Sequence, residues 1–151
     1  MPYSITMPNG ETVHDNAPHG TETMTVAGIL AKSYNTGLIQ VGDKVQDQVR
    51  YRYMKGFGLG EKTGVELPAE SRGALTPPNT WGPRGDYTTM FGQGWSTTTV
   101  QLGQMASIVG NKGMKAPLHI IDSVTSADGR EKPTVTGKPK RVISEESAGE
   151  M

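Results

Sequence analysis

Two tripeptides in this 151-residue chain, Ser33-Tyr34-Asn35 and Lys62-Thr63-Gly64, carry side chains that could serve acyl transfer through a serine ester. That chemistry needs three parts. A Ser-x-x-Lys supplies the attacking hydroxyl and an amine to deprotonate it. A Ser-x-Asn passes a proton on and holds the substrate amide. A Lys-Thr-Gly on a strand edge binds a carboxylate and frames the pocket. The sequence spells the second and third parts only: no serine has a lysine three positions after it. Ser-x-Asn alone carries little weight, because helix-terminal caps draw on the same residues.

Other chemistries find less support. His14, His19 and His119 lie far apart in sequence and bring no metal-ligand spacing with them, and no His-Glu-x-x-His occurs. There is no cysteine, so thiolate and disulfide chemistry are excluded. "GFGLGEKTG" (residues 56–64) hints at a phosphate loop, which leaves a nucleotide-binding module as a third-ranked reading. It lacks the Gly-x-x-x-x-Gly-Lys-Ser/Thr spacing, and Pro68 comes too soon for the helix such a loop must open. No cofactor is expected.

The elements that must position these residues are read from periodicity and turn chemistry. "YSITMPNGETVHD" predicts a β-hairpin, with Asn9-Gly10 supplying the positive φ angles of a tight turn. "TMTVAGILAKSYN" predicts a helix capped by Thr23 or Thr25, with Val26, Ile29 and Leu30 on one face and its end near Lys32 or Ser33. A short helix starts at Asn35, its cap, and another is capped by Asp43, with Val45, Val49 and Tyr53 on one face and Gly56 as its stop. Ser33 and Asn35 thus sit where one helix ends and the next begins. Residues 56–95 read as irregular, because Pro68, Pro77, Pro78 and Pro83 bar longer elements, with one short strand near Val65–Leu67 at most.

"STTTVQLGQMASIVGNKG" predicts a helix capped by Ser96 or Thr97 and ended by Gly113, with Val100, Met105, Ile108 and Val109 as its buried stripe. "APLHIIDSVTS" predicts a strand that turns at Asp128-Gly129 and pairs with "KPTVTG" (residues 132–137). A last helix starts after Ser144, with acidic residues in its first turn.

Composition bounds the rest. Formal charge is zero, 15 basic against 15 acidic side chains, which argues against a dedicated nucleic-acid partner. Leu, Ile, Val and Phe make up about 18% of the chain, and Gly (20) with Pro (10) about a fifth. A thin core with many turns follows, either a loop-rich globular segment or one piece of a larger domain whose other part completes the core. No apolar run approaches the length that spans a membrane, and no signal peptide is visible after Met1.

Four long phrases, in order, resemble the transpeptidase domain of class B penicillin-binding proteins, the division-type peptidoglycan enzymes: "HDNAPHGTETMTVAGILAKSYNTG", "MKGFGLGEKTGVELPAES", "GQGWSTTTVQLGQMASIVGNKG" and "PLHIIDSV". They lie between residues 14 and 124, and the resemblance extends over roughly residues 3–145. The resemblance implies an α+β fold of the β-lactamase-like type, of which residues 1–151 hold mainly helices, long loops and a few strands. It places Ser33 and Asn35 at the family's Ser-x-Asn, as catalytic and substrate-binding residues: Ser33 relays a proton to the leaving amine and Asn35 binds the substrate's amide carbonyl. Tyr34 departs from the small residue usual there.

The same resemblance makes Lys62-Thr63-Gly64 a connector rather than the catalytic triplet, with Glu70 bonding locally, and makes Gln93, Gly94 and Trp95 pocket-supporting at most. It implies that the chain starts after the Ser-x-x-Lys and ends before the catalytic Lys-Thr-Gly, so that it is inactive alone. It also implies a membrane-anchored parent working outside the cytoplasmic membrane. The partners implied are the peptidoglycan stem peptide, β-lactams and the rest of the domain, with self-association through faces left bare. The alternative is a non-catalytic truncated scaffold of the same fold.

Overall fold

A computed structural model describes residues 1–134 and 137–151. Its contacts divide the chain into two compact units, Met1–Tyr51 with Thr76–Trp95, and Arg52–Leu75 with Ser96–Met151.

The first unit opens on the expected hairpin, β1 (Ser4–Thr6) and β2 (Thr12–His14), antiparallel with Ile5 opposite Val13. Its turn differs from the two-residue type. The Gly10 N–H returns to the Met7 carbonyl (2.9 Å) and Met7 N–H to Glu11 (2.7 Å), a three-residue loop in which only Gly10 takes positive φ (85°). Pro8 favours the second position of such a turn, and that leaves the left-handed residue to the glycine.

Helix α1 (Val26–Lys32) is capped by Thr25, whose hydroxyl accepts from Gly28 N–H at 3.1 Å. Of its apolar stripe only Ile29 is buried; Val26 and Leu30 are 62% and 69% exposed. Helix α2 (Asn35–Gly42) follows at once. Asn35 is its first helical residue rather than its cap, and Asp43 closes α2 instead of starting the next helix. Gly37 lets α1 and α2 approach: a Cβ there would come within 2.7 Å of Ile29 Cγ2. Helix α3 (Asp47–Gly56) buries no residue fully, and the boundary between the units falls inside it.

Pro83 does not bar a helix. It is the first residue of α4 (Pro83–Thr88), where its missing N–H would have no partner anyway and its fixed φ suits the first turn. Arg50 holds α4, donating to Asp86 Oδ1 (2.8 Å) and to Asp47 Oδ1 (3.0 Å) while its guanidinium lies 5.2 Å from the Trp81 ring centre.

In the second unit no strand forms at Val65–Leu67. Leu67 N–H turns back to the Val65 carbonyl at 2.7 Å, a tight local turn that bars extension. Ala74 and Ser96 pair as an isolated antiparallel bridge. That use of Ser96's backbone moves the helix cap on to Thr98. Thr98 and Gln101 form a full capping box at the start of α5 (Thr99–Gly110), which ends before Asn111 rather than at Gly113.

The buried face of α5 is Gln101, Gln104 and Ile108, at 0, 2 and 0% exposure, while Val100, Met105 and Val109 are half-buried. Gln101 explains this polar core. Its Nε2 lies 2.6 Å from the Glu61 carbonyl, 2.9 Å from that of Arg72 and 3.3 Å from that of Gly58, and its Oε1 accepts from Thr98 N–H at 2.8 Å. Glycine-rich loops bring buried carbonyls that need donors, and an amide supplies them where an apolar side chain cannot.

Strands β3 (Met114–Lys115) and β6 (Lys140–Arg141) pair, a ladder not foreseen from sequence. β4 (Ser123–Thr125) and β5 (Glu131–Pro133) form a hairpin at the expected turn, with Gly129 at φ 81°, but residues 116–122 of the expected first strand stay outside it. Val135 and Thr136, part of the expected return strand, lie outside the described residues. Ser144 caps α6 (Glu145–Glu150). Among the described residues no helix is long and apolar enough to cross a membrane.

Replacing Gln101 by alanine strands three carbonyls from two loop segments, Gly58 and Glu61 in one and Arg72 in the other. It is expected to cost about 3 kcal/mol in urea unfolding, the scale of two or more buried groups left unpaired. A loss under about 1 kcal/mol would contradict this organising role.

Candidate functional site

Ser33 ends α1 in a left-handed conformation, φ 55° and ψ 44°. The chain turns there with Ser33 N–H bonded to Leu30 O (3.0 Å) and Tyr34 N–H to Ile29 O (3.1 Å), the paired bonds of a Schellman ending. Glycine usually fills this position, so a serine costs about 1 kcal/mol of backbone strain. Only Ser33, Ala69 and Lys112 among the described non-glycine residues have positive φ. Ser33 is exposed.

Asn35 opens α2. Its Nδ2 donates to the His14 carbonyl at 3.1 Å, which fixes which end of the amide points where. That bond leaves one N–H and the Oδ1 free for a ligand. Asn35 also lines a cleft of about 250 Å³ with His14, Arg84, Tyr87, Phe91 and Gln93. Glu11, at its rim, accepts from the Tyr87 hydroxyl and lies 3.5 Å from Arg84.

What fixes the tripeptide is a residue the sequence did not single out. Tyr34, the residue before α2, makes no side-chain cap. Instead Asp15, fully buried, reaches in from the loop after β2. Its Oδ1 accepts from Thr36 N–H at 2.9 Å, and its Oδ2 lies 2.8 Å from the Thr36 hydroxyl and 2.9 Å from His19 Nε2. The Thr36 hydroxyl also lies 2.9 Å from the Pro2 carbonyl, and its single proton serves one of the two acceptors. A carboxylate at a helix N-terminus meets free N–H groups and the positive end of the dipole.

Burial pushes the Asp15 carboxyl up. The hydrogen bonds from Thr36 N–H, His19 and the Thr36 hydroxyl outweigh it, so its pKa lies below the ordinary 3.8. Tyr34 packs its ring flat on His19, centres 4.4 Å apart and planes 15° from parallel. Burial first, then the Glu22 and Asp15 charges, raise its phenol. The bulky residue in the tripeptide therefore has a specific seat. The one sequence signal for this cluster was Asp15 and His19 lying four apart in a polar loop.

Lys62-Thr63-Gly64 lies on no strand. Glu70 clamps it: Oε1 accepts from Thr63 N–H (2.7 Å) and the Thr63 hydroxyl (2.6 Å), and Oε2 from Gly64 N–H (3.2 Å). The Thr63 hydroxyl, the loop N–H bonds and the Lys62 charge hold the Glu70 carboxyl below its usual range against a smaller effect of burial. Gly58, Gly60 and Gly64 all take positive φ. The hydroxyl and N–H of Thr63 are thus both bonded to a neighbouring carboxylate, the local bonding expected of Glu70. Among the described residues no group of three or more His, Cys, Asp or Glu is placed to hold a metal.

Comparison with known proteins identifies the family. The profile of the penicillin-binding protein transpeptidase domain matches residues 6–151, so the chain belongs to that family. It is similar to the penicillin-binding protein PbpB of Mycolicibacterium smegmatis, 38% identical over 152 residues that take in 98% of this chain and 23% of that protein. A peptidoglycan synthetase from Bifidobacterium adolescentis superposes with a TM-score of 0.93 at 40% identity, covering 97% of this chain and 27% of that one. Penicillin-binding protein 3 of Mycobacterium tuberculosis, solved with aztreonam, superposes at 0.92 with 35% identity over 97% of this chain and 33% of that one. The chain thus spans about a quarter of the length of the relatives it matches. The α+β architecture follows from these neighbours.

The lowered Asp15 pKa has a sign. Its contribution is present above the ordinary carboxylate value and is lost as pH falls through the lowered one. The stability gap between wild type and Asp15→Asn is therefore expected to narrow in urea titrations as pH falls through and below the ordinary carboxylate value of 3.8. A gap independent of pH would show that the carboxylate charge is not what Thr36 and His19 use.

Proposed function

We propose that residues 1–151 supply the Ser-x-Asn part of a peptidoglycan D,D-transpeptidase. In this reading the Ser-x-x-Lys and the catalytic Lys-Thr-Gly lie elsewhere in the same polypeptide. The observation that carries it is the Ser33 backbone: an exposed serine held in left-handed strain at a helix end, next to an amide already anchored on its back by His14. Strain kept at a position where glycine would relieve it is expected where the side chain has work to do.

In the reaction, the nucleophilic serine attacks the penultimate carbonyl of a stem peptide ending in D-Ala-D-Ala. The C–N bond breaks and terminal D-Ala leaves as its nitrogen takes a proton relayed through the Ser33 hydroxyl. The acyl-enzyme then passes to an amine of a second stem. Asn35 uses its free N–H on the carbonyl of the substrate's side-chain amide, and the cleft it lines accepts the neighbouring peptide. β-Lactams enter the same way: the ring amide opens on the nucleophile, but the leaving nitrogen stays tethered. The aztreonam complex of the M. tuberculosis relative supports β-lactam binding here. The activity belongs outside the cytoplasmic membrane, held there by an anchor in another part of the polypeptide.

Residues 1–151 alone are expected to take no covalent label from fluorescent penicillin, while the polypeptide that includes the Ser-x-x-Lys is labelled and Lys62→Ala leaves that labelling unchanged. In that polypeptide Ser33→Gly is expected to raise stability by about 0.5–1 kcal/mol. The same change should slow acylation on the order of a hundredfold or more, the scale of a lost proton relay. A Ser33→Gly protein that acylates at the wild-type rate would overturn the assignment.

A further inference from the structure

His19 lies outside the tripeptide, and no step of the proposed reaction uses it. Both its ring nitrogens face acceptors: Nε2 is 2.9 Å from Asp15 Oδ2 and Nδ1 is 2.6 Å from the Gly20 carbonyl. A neutral imidazole carries one N–H and cannot satisfy both; the imidazolium can. Its side chain is 9% exposed and its partner Asp15 fully buried. On one face it carries the Tyr34 ring, stacked at 4.4 Å, where a cation gains from the ring's electron-rich face. Tyr3 meets it edge-on at 5.8 Å.

We propose that His19, as an imidazolium, is a positioning residue for Ser33 and Asn35: it holds Asp15 on the start of α2 and fixes the ring of Tyr34, the residue between them in sequence. The chain of contacts is short. Asp15 fastens Thr36, one residue past Asn35, and His19 fastens both Asp15 and Tyr34, one residue past Ser33. The large middle residue and the histidine are thereby a matched pair. With a small residue at position 34, His19 would have nothing to stack on.

The charged and titratable groups around His19 are Asp15, Glu22, Tyr34 and Tyr3, with His14 5.7 Å beyond Tyr3. The hydrogen bond to Asp15 leads in raising the His19 pKa above 6.5, with the Gly20 carbonyl next and burial opposing. A raised histidine stabilises below its unfolded value and loses that contribution as pH rises through the folded one. The tripeptide is therefore held most firmly on the acid side of the His19 titration.

This inference rests on the transpeptidase reading for its activity arm only, and a spectroscopic arm stands apart from it. In the polypeptide that carries the Ser-x-x-Lys, with 3-fluorotyrosine in place of tyrosine and the position-34 signal assigned by Tyr34→Phe, the fluorine shift below the phenol's own ionisation is expected to titrate with His19 and to go flat there in His19→Gln. Acylation by fluorescent penicillin is expected to be about tenfold slower in His19→Gln, within what a small misplacement of reacting groups costs. The wild-type to variant ratio should fall as pH rises through the His19 titration. His19→Phe, which keeps the stacking and loses the bond to Asp15, is expected to lie between the two.

A wild-type fluorine signal at position 34 that does not move with pH overturns the proposal, even if the variants fold poorly. So does His19→Gln acylating at the wild-type rate. If wild type takes no label while its fluorine signal titrates, the transpeptidase reading falls and the placement of Tyr34 by His19 stands.

Discussion

A carboxylate with no exposure to solvent, Asp15, accepts from Thr36 N–H and from His19, and lies within bonding distance of the Thr36 hydroxyl. The geometry at the Ser-x-Asn depends on that contact. Helix α2 starts without a local side-chain cap, so its first turn would fray if nothing supplied an acceptor from elsewhere. Asp15 supplies it from 21 residues upstream, and in doing so it ties the loop after the β-hairpin to the helix that carries Asn35. The His14 carbonyl, at the end of β2 just before that loop, then orients the Asn35 amide. The hairpin matters to the site because it delivers these acceptors, not because it packs a large core.

Buried polar anchors replace apolar bulk in the second unit too. Its main helix turns two glutamines and one isoleucine inward, and Gln101 joins two loop segments through its amide. A chain with so few large aliphatic residues and so much glycine has many loop carbonyls to satisfy and little apolar surface to bury. Amide and carboxylate side chains at 0% exposure are the consequence. The Glu70 clamp on Thr63 and Gly64 follows the same rule: a carboxylate answers two loop N–H groups and a hydroxyl.

Much of this was legible in the sequence where a local rule decides. The hairpin turns followed from Asn9-Gly10 and Asp128-Gly129, α1 from the two candidate caps Thr23 and Thr25, of which Thr25 serves, and α6 from Ser144. The misses arose where a distant partner or a second use of a residue intervened. Asp43 reads as a helix cap from its type, but closes the preceding helix. Ser96 reads as a cap, but its backbone is committed to Ala74. Pro83 reads as a breaker, yet it starts a helix. The β3–β6 pairing joins residues some 25 apart, with no pattern in two-residue strands to announce it. At the site, Ser33 and Asn35 were visible as a motif. Asp15 and His19 were not, because what recommends them is burial and geometry, and neither is written in residue type.

The account turns on a charged His19 inside the folded protein. The most direct measurement is a nitrogen-15 correlation spectrum of its imidazole at pH 6.5, the ordinary histidine midpoint. Both ring nitrogens are expected to be protonated in most molecules, with the Nε2 proton protected from exchange by Asp15. A spectrum dominated by a neutral tautomer at that pH would contradict the account.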